Sequence, residues 1–378
     1  MDNYFVSYSK KRAFIIFSAL NTPSSKFNLY KKFDKYGVIS LHFNDNNSWY
    51  HNGFEFGDAT IMDNVKFIQS KLDEHDIDEL IVVGSSMGGY AALLYGTLLN
   101  ANHVFSFGSE VCLNIDFSRS KLHLTREPVD DYSNISGLVS SGVEKRVKYH
   151  VFLGSSDIID LYNTSMIDFD GINIYILNNM DHFITPYINK IKPIEDLVLS
   201  IVVDGFLPKV IEDELTDGNK KERLLKVSKN LYFAYVAIRN RKFDTASSEL
   251  DKINVKDIKD IDLFYLFKGM VYSRNMNYIE AEEMLNMAYN INSNSRDVCF
   301  ELAIVSRING DIDRAISLYS KVVDIDDSYH SAYYHLALCY ELMNNLPMAM
   351  MNIVKAIEIK DLDKYSTFFN KLISCAKR

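Results

Sequence analysis

The stretch Glu79-Leu80-Ile81-Val82-Val83-Gly84-Ser85-Ser86-Met87-Gly88-Gly89-Tyr90-Ala91-Ala92-Leu93-Leu94 decides how the first half of the chain is read. An apolar β-like run stops at a glycine–serine turn, and a slim, small-residue helix follows. Gly84, Ser86 and Gly88 form G-x-S-x-G, and they do so between a strand and a helix, the context this motif requires. The requirement is steric. A serine on so tight a turn holds a strained backbone, and a side chain two residues to either side would collide with strand or helix. Gly84 and Gly88 meet that need, and Gly89, Ala91 and Ala92 keep the helix slim. The helix N-terminus beneath Ser86 offers positive potential to a developing oxyanion. A phosphate-binding turn fits less well, because the P-loop lysine and the dinucleotide spacing are both missing. Ser86 is the candidate nucleophile. Ser85 stands in the x position and is expected to point elsewhere.

Outward from this turn, short apolar runs alternate with amphipathic stretches. Strands are expected over residues 4–8, 13–17, 38–43, 80–83, 104–107, 149–153 and 172–177, and helices over 25–36, 60–75, 88–99 and 187–203. Such alternation argues an α/β fold with a mostly parallel sheet and helices on both faces. The first two strands, joined by only four residues, fit an antiparallel hairpin at the sheet edge. Residues 110–148 break the rhythm and read as an inserted lid or cap.

Behind a G-x-S-x-G serine the partners follow in the order Ser, Asp or Glu, His. The acid belongs just after a later strand. Residues 149–153 lead into Gly154-Ser155-Ser156-Asp157, which makes Asp157 the leading acid, with Asp160 one helical turn on as runner-up. Asp157 also suits a helix N-cap. The base belongs after the next strand, where Asn178-Asn179-Met180-Asp181-His182-Phe183 supplies His182. Its role would be to take the Ser86 proton and return it to the leaving group, while the acid fixes the imidazole tautomer. Two backbone N–H groups are needed for an oxyanion. One is expected from Met87, and the other from Ala19 or Leu20 after the 13–17 strand.

These features resemble the α/β-hydrolase superfamily over about residues 4–203. The resemblance implies a serine esterase that works without a cofactor or metal and forms an acyl-serine intermediate. Acyl transfer and thioester cleavage use the same three groups. One loop, Asn44 to Gly53, follows the 38–43 strand at the sheet end that faces a site in such folds. It holds the one tryptophan. Trp49 and Tyr50, with Asp45, are placed to stack on a sugar, to pack an acyl group, or to plug the loop onto the sheet. The chain is also similar to hydrolase-like proteins of bacterial surface-polysaccharide and glycoprotein pathways, which implies a carbohydrate or glycoconjugate O-acyl ester as substrate. His42, Asp45, His51 and Asp58 fit no metal-ligand spacing and read as a solvated loop.

The second half changes period. Ala246, Ala281, Ala315 and Ala349 recur 35, 34 and 34 residues apart. Twelve positions before them stand Ala234, Gly269, Ala303 and Ala337, and four after them Leu250, Leu285, Tyr319 and Ile353. Ala288 and Ala356 fill a later small position, while Tyr265, Cys299 and Tyr333 stand near the start of their repeats. The pattern resembles the tetratricopeptide repeat, a unit of ~34 residues of helix–turn–helix. Small residues let two helices cross closely and bulky ones fill the groove between units. The expected all-α solenoid covers residues 227–378, with a capping helix from Lys364. Its first repeat is the weakest, with Asn230 at the aromatic position and Ile253 at the later small one. Residues 204–222 carry the boundary signals Gly205, Pro208 and a polar run from Thr216 to Lys221, and a linker over 206–226 is expected to join the solenoid to a domain at 1–205.

Bulk properties narrow the function classes. The 378 residues suffice for two domains. A formal net charge of −9 disfavours a grip on nucleic acid. No stretch approaches the ~20 apolar residues of a membrane helix. Cys112, Cys299, Cys339 and Cys375 are scattered and form no CxxC pair, which argues against structural zinc or a disulfide framework and for a reducing, cytoplasmic setting. Two readings follow: an ester hydrolase acting on a small-molecule or carbohydrate ester, and a scaffold whose array engages a protein partner or a second copy.

Overall fold

A computed structural model describes residues 11–19, 22, 29, 31–37, 39–43, 60–124, 130–168 and 170–376. The chain divides into two units, Met1–Lys229 and Asn230–Arg378.

The first unit is built on a six-stranded sheet: β1 (Arg12–Phe17), β2 (Ile39–Phe43), β3 (Glu79–Ser85), β4 (His103–Phe107), β5 (Lys148–Gly154) and β6 (Ile172–Leu177), in the order β2-β1-β3-β4-β5-β6. Every pairing between these six strands is parallel. The continuous apolar runs explain this. Phe14 through Phe17 and Ile81 through Val83 are all at most 1% exposed, so both faces of those strands are covered, as parallel sheets require. The expected strand at residues 4–8, and the hairpin it would form, lie outside the described residues.

Helices cover both faces. α1 (Ile61–Asp73) opens with a capping box between Thr60 and Asp63 and buries Ile61, Val65, Ile68 and Leu72 at helical spacing. α2 (Met87–Leu98) packs on β3 and β4. α3 (Arg119–His123) and α4 (Ser136–Glu144) lie in the 110–148 insert, and α5 (Ile158–Thr164) follows β5. α6 (Ile184–Ile191) and α7 (Ile194–Leu199) cover the other face, where Ile184, Ile188, Ile194 and Leu197 join a core with Phe14, Ile16, Ile81, Val83 and Phe107.

Three expectations change here. Residues 31–37 are turns, not the end of a helix; Leu29 and Lys31 have φ of 54° and 59°, which no helix admits. The single helix expected over 187–203 is two, broken at Pro193, whose ring cannot continue a helix. The expected linker at 206–226 is folded: Leu215 bridges Leu177 of β6, Ile211 of α8 (Lys209–Glu212) is fully buried, and α9 (Gly218–Arg239) has begun. The division between units falls within α9.

The second unit is helical. After α9 and α10 (Phe243–Asp251) come α11 (Asp262–Arg274) and α12 (Tyr278–Ile291), α13 (Arg296–Ile308) and α14 (Ile312–Ile325), α15 (His330–Leu342) and α16 (Leu346–Ile359), and α17 (Asp363–Ala376). The repeated small positions are its contact points. Ala234, Ala246, Ala281, Ala303, Ala315, Ala337 and Ala349 are all 0% exposed. A Cβ at Gly269 would stand 2.6 Å from Leu285 Cγ, so α11 and α12 touch there through a missing side chain. The turns repeat as well: Arg241, Met276, Gly310 and Asn344 all have positive φ. Tyr365, Phe368 and Leu372 of α17 close the last pair by packing on Ala337, Ile353 and Ala356. Among the described residues, no helix is long and apolar enough to cross a membrane.

Candidate active site

Ser86 sits where β3 ends and α2 begins, with φ 55° and ψ −122°. That region is sparsely populated and costs on the order of 1–3 kcal/mol, which the surrounding structure must impose. Its backbone N–H donates to Phe107 O at 2.8 Å. The flanking glycines are obligatory. A Cβ on Gly84 would lie 1.9 Å from Gly88 O, and one on Gly88 would lie 2.4 Å from Phe17 O. The competing hydroxyl has a different partner: Ser85 Oγ lies 2.6 Å from Thr185 Oγ1 of α6, while Ser86 Oγ meets His182.

His182 lies 96 positions downstream and meets Ser86, Nε2 to Oγ at 2.8 Å. The loop that carries it is pinned to the end of β5. Ser156 N donates to Met180 O at 2.9 Å and Asn179 N to Ser155 Oγ at 2.8 Å. Gly154 permits the approach, since a Cβ there would stand 2.1 Å from Met180 O. Gly108, with φ 57°, does the same at the end of β4, where a Cβ would lie 3.2 Å from His182 Nδ1.

The carboxylate on the imidazole is Asp160, not Asp157. His182 Nδ1 and Asp160 Oδ2 are 2.8 Å apart, and Asp160 is fully buried. Asp157 instead caps α5, with Oδ1 accepting from Asp160 N at 2.9 Å. The one-turn offset is the physical reason. Asp157, at the N-cap, spends its carboxylate on the start of α5, and the first turn carries Asp160 beneath His182. Between the two acids lies a group the sequence did not single out. Arg119, from α3 of the insert, donates Nη1 to Asp160 Oδ1 at 3.0 Å and pairs through Nη2 with Asp157. Glu110 in turn accepts from the backbone N–H groups of Arg119 and Ser120. No local pattern marks Arg119 among the lysines and arginines of the chain. Gly108 was the findable one, a glycine directly after a β run.

Burial opposes the imidazolium, but the adjacent Asp160 carboxylate outweighs it and holds His182 above its ordinary range. Burial likewise works to raise Asp160, and His182 and Arg119 together bring it below the usual carboxylate value. Asp157 moves up, through burial and the charge of Asp160. Asp157, Asp160 and His182 also bring three ligand-type atoms within 4.8 Å of one another. The guanidinium of Arg119 already bonds both carboxylates and supplies the positive charge there.

Met87, the first residue of α2, is buried beside Ser86, and Ala19 lines the same cavity as Ser86 and His182. That cavity measures about 780 Å³. Leu20, Asp45, Trp49 and Tyr50 lie outside the described residues.

A family model described as Tetratricopeptide repeat matches residues 330–361, which span all of α15 and α16. No curated protein matches the chain. Solved structures similar to it include MamA (24% identity over 40% of this chain and 84% of that one, TM-score 0.33). TTC0263, a thermophilic TPR protein of Thermus thermophilus, is similar at 16% identity over 40% of this chain and 86% of that one, TM-score 0.34. YrrB, described as a TPR protein with an unusual peptide-binding site, is similar at 18% identity over 50% and 98%, TM-score 0.34. The chain thus joins a parallel α/β unit to a helical C-terminal region of tetratricopeptide-like repeats.

Proposed function

We propose that the first unit is a serine hydrolase of the α/β-hydrolase type, cleaving a carboxylic ester through an acyl-Ser86 intermediate. The observation that carries this reading is the continuous relay from Ser86 Oγ through His182 to the buried Asp160. His182 Nε2 takes the hydroxyl proton as Ser86 Oγ attacks the ester carbonyl. The oxyanion is held by the N–H of Met87, with a second donor from the segment at Ala19. Collapse expels the alcohol, which leaves with the proton from His182. Water, deprotonated by the same imidazole, then releases the acid and restores Ser86. An alcohol in place of that water gives acyl transfer, and a thioester in place of the ester gives thioesterase chemistry. A carbohydrate or glycoconjugate as the alcohol part rests on the sequence resemblance alone, as the cytoplasmic setting rests on the scattered cysteines.

A fluorophosphonate probe tests the reading. Wild type is expected to be labelled stoichiometrically and Ser86→Ala not at all. A folded wild-type sample that stays unlabelled and leaves activated esters intact would remove it.

A second reading, a scaffold or adaptor, is favoured by the tetratricopeptide match over residues 330–361. Stacked helical repeats commonly present an extended surface to a protein partner. The two readings are compatible, since they rest on different units. If Ser86 is inert, the adaptor reading stands alone.

A further inference from the structure

The cavity beside Ser86 is far larger than the smallest acyl group needs. Its volume of about 780 Å³ lies well inside the range of roughly 300–1,000 Å³ that holds drug-sized ligands. Its described walls are mainly apolar: Ile16 of β1, Val83 of β3, Phe107 of β4, Leu29, Pro186 of α6, and Ile194 of α7. Its charged walls are already neutralised. Lys32 Nζ donates to Glu195 at 3.0 Å, and Arg119 is spent on Asp157 and Asp160. No carboxylate stands among the described lining residues. Two of its hydroxyls, Ser85 and Thr185, bond each other. Ordered water needs two to four polar partners, and along the apolar stretch of these walls it finds few, although His123 and Asn189 also line the cavity.

The direction of the chamber follows from α6. Thr185 touches Ser85, next to the nucleophile, and Asn189 lines the same cavity four residues on. Residues i and i+4 share a helix face about 6 Å apart along the axis. The chamber therefore runs from Ser86 along α6 over the apolar face of the sheet.

We infer that this chamber holds the acyl chain of the substrate, and that the chain is an apolar one of medium length, not an acetyl group. The inference rests on the serine-hydrolase reading. An acyl-Ser86 ester would lay its methylenes against Val83, Phe107 and Ile194, displacing water that is poorly bonded there. An acetyl group would leave those walls wet.

The test uses the full chain and p-nitrophenyl acetate, butyrate, octanoate and laurate, with fluorophosphonate labelling in parallel. Each methylene buried is expected to raise kcat/KM about three- to fourfold. Octanoate should exceed acetate at least tenfold. Asn189→Trp, which narrows the chamber one helical turn beyond Thr185, should move the optimum toward shorter esters while circular dichroism stays that of wild type. Labelling of Ser86 with acetate preferred or all esters equal would overturn this inference and leave the hydrolase reading intact. A preference for octanoate that Asn189→Trp does not shift would place the chain elsewhere and also overturn it. Absence of labelling would remove the hydrolase reading itself, and this inference with it.

Discussion

Replacing Asp160 by asparagine separates it from Asp157 as no other change does. The two carboxylates lie three residues apart and share one guanidinium, Asp160 fully buried and Asp157 nearly so. Only Asp160 bonds His182. Asp160→Asn preserves shape but takes away the negative charge that stabilises the imidazolium and fixes the tautomer with Nε2 free to accept. Asp160 is 0% exposed, so no water can substitute for it. In triads of this type such a change costs ~10⁴ in kcat. A fall of roughly 10³- to 10⁴-fold is expected here, or about 4–5.5 kcal/mol of transition-state stabilisation. Asp157→Asn keeps the amide oxygen that caps α5 and loses one bond to Arg119, which still holds Asp160. Its loss should stay within about tenfold. The pH profile supplies an independent sign. In the proposed hydrolysis neutral His182 is the active form, and the Asp160 carboxylate outweighs burial and holds its pKa above 6.5, so wild-type activity should fall away on acidification with a midpoint above that value. Asp160→Asn removes the larger of the two carboxylate influences that oppose burial, leaving only that of Asp157, so the residual activity should persist to lower pH. Hydrolysis of an activated ester across pH, with melting curves for each variant, makes the measurement. Equal losses in the two variants, or a larger loss in Asp157→Asn, would refute the assignment.

Two further outcomes follow from packing and burial. Gly108→Ala places a methyl group 3.0 Å from His182 O and 3.2 Å from Nδ1, at a residue with φ 57°. A fall in kcat of tenfold or more and a stability cost of about 1–2 kcal/mol are expected, read by ester kinetics and denaturant unfolding; full activity would show that the histidine loop yields freely. His150, buried between β4 and β6 with its ring 4.5 Å from Phe105, is held down to about 3 by burial, His103 and Lys148. The unfolded chain takes up its proton near pH 6.5 and the folded one near 3, so stability is full above 6.5 and is lost as pH falls toward 3. At 1.36 kcal/mol per unit the loss reaches about 4–5 kcal/mol. Melting temperatures between pH 7 and 4 should drop less in His150→Phe than in wild type, and parallel curves would contradict the reasoning.

The sequence carried Ser86 and His182 because each is announced locally, one by glycines two residues to either side and the other by its place after an apolar run. The acid was harder. Asp157 and Asp160 both follow β5, and helical geometry chooses between them only when the cap and the histidine loop are seen together. Arg119 was illegible because its meaning comes from 38 and 41 positions away. The repeats were legible for the opposite reason: every helix pair imposes the same small and bulky residues in the same phase, so the signal recurs. Where the reading erred, at 31–37 and 206–226, polar or glycine-containing stretches hid a few residues, such as Ile211 and Leu215, that anchor to the sheet core.

Because α3 delivers its guanidinium to the acids that flank the histidine, residues 110–148 are not an exchangeable cover. A chimera that borrowed this segment from another protein would take Arg119 from between the two carboxylates and leave them the His182 imidazole as a positive partner, so the pair would be drawn toward taking up a proton. Such a graft would fold around a rearranged charge cluster unless the donor segment offered a cation at the same place, so this stretch and α5 must be transplanted together or not at all.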